Sequence, residues 1–160
     1  MMDKTKQITL LHGALAGCVA TLPMTLVMSI IHRQLPPQER YPQEPSLIMQ
    51  QMEQTLLPNR DLREPEHMAL TLVSHVVYGA AAGTFYPPLT RHLPLPAALR
   101  GAGYGIAVWA LGYMGWLPLI GLLPPETRRP ARRTAMIFTA HLVWGLTLGM
   151  LVQRRQRACP

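Results

Sequence analysis

Charge is scarce in this chain. Asp, Glu, Lys and Arg together make up 14% of its 160 residues, against about 25% in ordinary soluble domains. The charge also avoids four long stretches: residues 7–32, 67–90, 101–125 and 134–153 contain none of the four types. Cysteine is nearly absent; Cys18 and Cys159 cannot build a disulfide framework. Also missing are a nucleophile–base pattern, Cys or His residues at metal-ligand spacing, and a glycine-rich phosphate loop. These absences predict a protein that is not an enzyme and holds no metal. No carboxylate lies within the apolar stretches, which argues against proton pumping and cation transport. The net charge is +7, yet no basic face is interleaved with aromatics, so no nucleic-acid partner is expected.

What is present are four apolar runs of membrane-spanning length, about 20 residues each. They predict spans at about 8–31, 68–86, 101–123 and 134–152. A soluble chain this small could not surround four wholly apolar helices with polar neighbours. The fold class expected is all-α: a single membrane domain, 1–160, forming a four-span helix bundle. The basic residues sit at span ends, where lipid phosphate and the bilayer potential use them. Lys and Arg are divided seven to eight between the two sides, so orientation is nearly a tie. An even number of spans puts both termini on one side, with a slight lean to the cytoplasm. Leu15-Ala16-Gly17-Cys18 imitates a lipoprotein cleavage box, but the apolar run continues beyond Cys18 and no cleavage is expected.

The chain also repeats itself. Gly13-Ala14-x-x-Gly17 and Leu35-Pro36-Pro37-x-x-Arg40-x-Pro42 recur 88 residues later as Gly101-Ala102-x-x-Gly105 and Leu123-Pro124-Pro125-x-x-Arg128-x-Pro130. His75-x-Val77-Tyr78-Gly79-x-x-x-Gly83 recurs after 66 residues as His141-x-Val143-Trp144-Gly145-x-x-x-Gly149. Such duplication predicts two similar helix hairpins, residues 8–90 and 97–153. The longer first loop opens with an extended Pro-rich stretch. Ser46–Leu57 then reads as a short amphipathic helix, with Ile48, Met52 and Leu56 on one stripe, placed at the membrane surface or the mouth of the bundle.

Each span carries one Gly-x-x-x-Gly: Gly13/Gly17, Gly79/Gly83, Gly101/Gly105 and Gly145/Gly149. Missing side chains let helices approach closely in lipid. All four motifs fall in the same half of the membrane, so the bundle is expected to be pinched there and open at the other end, beside the two Leu-Pro-Pro loops. His75 and His141 lie in that open half, about 10 Å below the interface at 1.5 Å per residue. Each shares a helical face with its own glycines. Duplication would relate the two imidazoles by a pseudo-two-fold axis along the membrane normal.

Three readings of the pair stay open. The histidines bond to neighbouring groups and fix helix register; they line a polar vestibule handling protons or a small solute; or they hold a metal or haem b between them. Arg40, Arg128, Arg129, Arg132 and Arg133 suit anionic lipid headgroups or an acidic partner, or bond exposed helix-end carbonyls. The function expected first is a non-enzymatic packing or accessory subunit, joined through its glycine faces to a second copy or to a larger membrane complex. A small-solute or proton conduit and a haem b electron carrier are the alternatives.

Taken together, Glu39-Arg40-Tyr41-Pro42, His75-x-x-Tyr78-Gly79, Trp109 with Gly112-Tyr113, Trp116-Leu117-Pro118, the loop from Pro124 to Arg133 and His141-x-x-Trp144-Gly145 resemble the YagU-like family of small bacterial inner-membrane proteins. The resemblance covers nearly the whole chain. It implies a multi-spanning protein of the bacterial inner membrane and brings no activity with it.

Overall fold

The computed structural model of the chain describes residues 4–40, 42–56, 63–123 and 130–158. Among these residues the structure is helical and contains no strand. Helix α1 (Lys4–Gln34) is followed by a 3-10 turn (Pro37–Glu39), α2 (Glu44–Leu56) and α3 (Glu64–Thr90). Helix α4 (Ala97–Ala110) runs into a π-helical turn (Leu111–Trp116) and the short α5 (Leu117–Leu119). Helix α6 (Ala131–Ala158) completes the chain.

Local chemistry sets the boundaries. Helix α3 starts at Glu64-Pro65, where proline's missing N–H costs nothing, and the Glu66 carboxylate accepts the Arg63 N–H at 3.0 Å. After α5 the chain turns through Gly121, whose φ of 75° lies in the left-handed region. Leu122 N–H bonds Leu117 O and Gly121 N–H bonds Pro118 O. These two bonds satisfy the last carbonyls of the turn, and only glycine takes that φ without strain.

Helices α1, α3 and α6 are each long and apolar enough to cross a membrane. The stretch expected as the third span, 101–123, is not one regular helix. Its path widens between Leu111 and Trp116, and Gly115 is non-helical there. Gly115 supplies the backbone freedom for this turn; π-helical turns of this kind recur at functional sites. Large apolar side chains stand exposed on the outer faces, among them Leu11, Leu15, Leu22, Leu72, Val73 and Val77. That pattern fits contact with acyl chains rather than water.

The helices pack as two hairpins, α1 on α3 and α4 on α6, joined along α1 and α6. Met136, Ile137, Ala140, Trp144 and Leu148 make α6 the most buried helix, facing Ala16, Ala20, Met24 and Met28 of α1. Helices α3 and α4 meet at only a few points. The two-fold arrangement expected from the duplication would make the α1–α6 and α3–α4 contacts alike, and they are not.

The glycines explain the tight hairpins. A Cβ on Gly17 would collide with Gly79 O and stand 2.9 Å from Gly83 Cα. A Cβ on Gly13 would collide with Gly83 O and stand 2.9 Å from Pro87 Cδ. In the second hairpin, a Cβ on Gly101 would meet Gly145 O, and one on Gly105 would meet His141 O. The two hairpins thus differ in register by one helical turn: Gly13 faces Gly83, but Gly101 faces Gly145 rather than Gly149. All eight glycines turn toward a partner helix of the same chain.

Candidate functional site

The open half of the bundle encloses a cavity of about 340 Å3, within the range of about 300–1,000 Å3 typical of small-molecule sites. Both singled-out histidines are on its wall. His141 and Trp144 come from α6, His75 and Tyr78 from α3, and Tyr113 and Trp116 from the π-helical turn. Met24 and Met28 of α1, Val108 of α4 and Leu117 of α5 supply an apolar surface. Helix α2 roofs the chamber with Pro45, Ile48 and Met52. The amphipathic helix expected in the first loop is therefore present, and Ile48 and Met52 of its apolar stripe cover the bundle mouth while Gln50, Gln51 and Gln54 stay exposed.

The two histidines are not equivalent. His141 is buried, its Nδ1–H donates to Ile137 O at 2.9 Å, and its ring meets Tyr113 edge-on at 5.5 Å. His75 is half-buried and makes no side-chain hydrogen bond to the described residues. The register difference accounts for the contrast. His141 lies at the level of Gly105, inside the close helix contact, whereas His75 lies one turn beyond the Gly17–Gly79 contact. The matched pair anticipated from the repeat is in fact two rings of unequal burial on one wall.

Trp144, the counterpart of Tyr78, donates from Nε1 to Gly17 O at 3.1 Å. The same carbonyl accepts Thr21 Oγ1–H at 3.0 Å. Tyr78 instead faces Trp116, with ring centroids 6.2 Å apart.

One constellation was not visible in the sequence. His67 Nδ1 lies 2.9 Å from Glu53 Oε1 and its Nε2 lies 3.0 Å from Ser46 Oγ. With the Nδ1–H donated to the carboxylate, Nε2 accepts the serine hydroxyl. The order Ser–His–Glu matches that of acyl-transfer enzymes. Yet the N–H groups of Ser46 and Leu47 both bond Gln43 O, so these two backbone donors are committed and do not form an oxyanion site. What the three residues do is fasten α2 to α3. The only sequence signal was the seven-residue step from Ser46 to Glu53, two turns on one face; His67 arrives from another helix.

The arginines divide. Arg133 is fully buried, and its guanidinium donates to Glu39 O and Pro42 O, both at 3.0 Å. It therefore binds the first loop rather than a lipid headgroup. Arg40 donates from Nε to Leu35 O, the helix-end role among those anticipated. Arg132 is exposed. Arg128 and Arg129 lie outside the described residues. Among the described residues no group of three or more His, Cys, Asp or Glu could hold a metal ion.

Among the described residues, an all-helical architecture with three helices long and apolar enough to cross a membrane, around a chamber, defines the class of protein. Residues 33–150 match the model of a family described as "Protein of unknown function (DUF1440)", and the chain belongs to that family. No curated protein and no solved structure matches it.

Proposed function

We propose that this protein is a four-span integral membrane protein that binds a small molecule in the chamber beneath α2, without catalysing its conversion. Residues 97–123 supply the fourth span, with the π-helical turn inside it. The observation that carries the reading is the meeting of His75 and His141, 66 residues apart in sequence, on the wall of one cavity of about 340 Å3. The packing-subunit reading loses its mechanism, because the glycine faces it needed are occupied within the chain. A role as a conduit would use the same chamber. Placement in the bacterial inner membrane, with both termini on the cytoplasmic side, accompanies this proposal; the YagU-like resemblance supports the membrane assigned. Association with anionic lipid through Arg132, and assembly into a homo-oligomer or larger complex, are compatible with it.

The test is a thermal-stability screen of purified full-length protein against small molecules. A ligand at about 100 times its Kd stabilises by about 2.7 kcal/mol, a Tm rise of about 5–10 °C for a chain this size. Val108→Trp, which places a bulky ring in the chamber, should abolish the rise. Equal stabilisation of wild type and Val108→Trp would place the binding elsewhere.

A further inference from the structure

We infer that the ligand of this chamber is an alcohol dissolved in the bilayer, an apolar chain ending in a hydroxyl group, and that it arrives sideways through the seam between α3 and α4. The inference rests on the chamber reading above and specifies its ligand.

The wall chemistry selects the head. Among the described residues no Asp, Glu, Lys or Arg lines the cavity, so an ionised head would be buried there without a counter-charge. The polar wall consists of the two imidazoles together with the side chains of Thr21, Ser74, Tyr78, Tyr113, Trp116 and Trp144. The Thr21 and Ser74 hydroxyl protons are donated to Gly17 O and Thr71 O, which leaves the imidazoles as its nitrogen acceptors. His141 Nδ1 faces Ile137 O at 2.9 Å; a carbonyl only accepts, so Nδ1 carries the proton and Nε2 of the neutral ring is an acceptor. His75, with no hydrogen bond among the described residues, offers one donor and one acceptor. A hydroxyl satisfies both rings at once, donating to His141 and accepting from His75. An ether or ketone can only accept and would leave His141 Nε2 unpaired. Most of the rest of the wall is apolar, with Met24, Met28 and Met52 giving a surface that adapts to a chain.

The packing selects the route. At the aqueous end, α2 covers the mouth, held by the Glu53–His67–Ser46 clamp and by Arg133 on the preceding loop. Three of the four helix–helix seams are closed by extensive packing; the α3–α4 seam is the sparse one. Tyr78 and Trp116 stand on its two sides, both lining the cavity and both still 41% exposed. The two rings face each other at 6.2 Å, so a chain too long for the chamber reaches the acyl phase by parting them.

The full-length protein in lipid nanodiscs would be photolabelled with hexadecan-1-ol carrying a diazirine beside the head or at the tail end, with the methyl ether of each probe and the corresponding alkane as controls. The head-end alcohol is expected to label chamber-wall residues, with excess hexadecanol competing. The ether and alkane should label that wall at least about tenfold less, since each lacks the hydroxyl donor. The tail-end probe should label Tyr78 and Trp116. Equal wall labelling by alcohol, ether and alkane would overturn the head assignment, and tail-end labelling of Ile48 and Met52 would overturn the lateral route. The comparison uses the unaltered chain, so it does not depend on a histidine variant folding. If a water-soluble solute stabilises wild type but not Val108→Trp, while the alcohol labels only outward helix faces, the chamber stands and this inference falls.

Discussion

The indole of Trp144 donates to the carbonyl of Gly17 at 3.1 Å, across the junction of the two hairpins. This buried bond ties α6 to the glycine contact of α1 and α3, so one carbonyl sits at the meeting of three helices. Trp144→Phe keeps most of the packing and removes the donor. It is expected to cost about 1 kcal/mol, because Gly17 O keeps its bond from Thr21. Trp144→Ala should cost about 3–5 kcal/mol through the cavity left behind. Thermal denaturation in detergent compares the two.

Glycine positions separate by what surrounds them. Gly17→Ala drives a methyl into the α3 backbone at Gly79 O, where nothing flexible can give way. A loss of about 1–3 kcal/mol or more is expected. Gly103→Ala meets nothing within 4 Å and sits inside α4, so it should be neutral or stabilising by about 0.5–1 kcal/mol. Equal losses at both sites would contradict the interhelical role of Gly17.

His67→Ala removes both hydrogen bonds of the α2 clamp and leaves the Glu53 carboxylate half-buried. An unpaired buried group of this kind costs about 1–3 kcal/mol. The effect should be local: hydrogen exchange across residues 44–56 is expected to accelerate while α6 is unchanged. Unaltered exchange in α2 would mean that the clamp does not hold the roof.

Arg132 and Arg133 are neighbours with opposite fates. Arg133→Ala abandons the carbonyls of Glu39 and Pro42 and opens a void where a fully buried side chain was. A loss of about 3 kcal/mol is expected, comparable to breaking other buried charged contacts. Arg132→Ala, at an exposed site, should stay within about 0.5 kcal/mol. Binding to anionic vesicles should fall for Arg132→Ala rather than for Arg133→Ala among variants that remain folded.

Much of the fold is readable from where charge is missing. Residues 7–32, 67–90 and 134–153 all fall within α1, α3 and α6, and the stripe through Ile48 and Met52 located α2 to within two residues at either end. Residues 101–125 were harder. Gly112 and Gly115 lie in an unbroken apolar run, and hydropathy does not distinguish an α-turn from a π-turn. The histidines were legible as inward-facing, since each shares a face with its glycines. Their inequality was not: a one-turn slip between hairpins leaves the repeat intact in sequence and changes which carbonyl each glycine meets. The inward course of Arg133 depends on where the first loop folds back, and no local pattern around Arg133 records that.

The claim on which the functional reading depends is that His75 and His141 face one shared chamber. Paired cysteines at these positions, in a chain with Cys18 and Cys159 replaced by alanine, test it through a short bis-maleimide in native membranes. A rapid crosslink within one chain is expected, blocked when Val108→Trp fills the space. Two cysteines that each react with a single maleimide but bridge only between chains, or not at all, would contradict a common chamber.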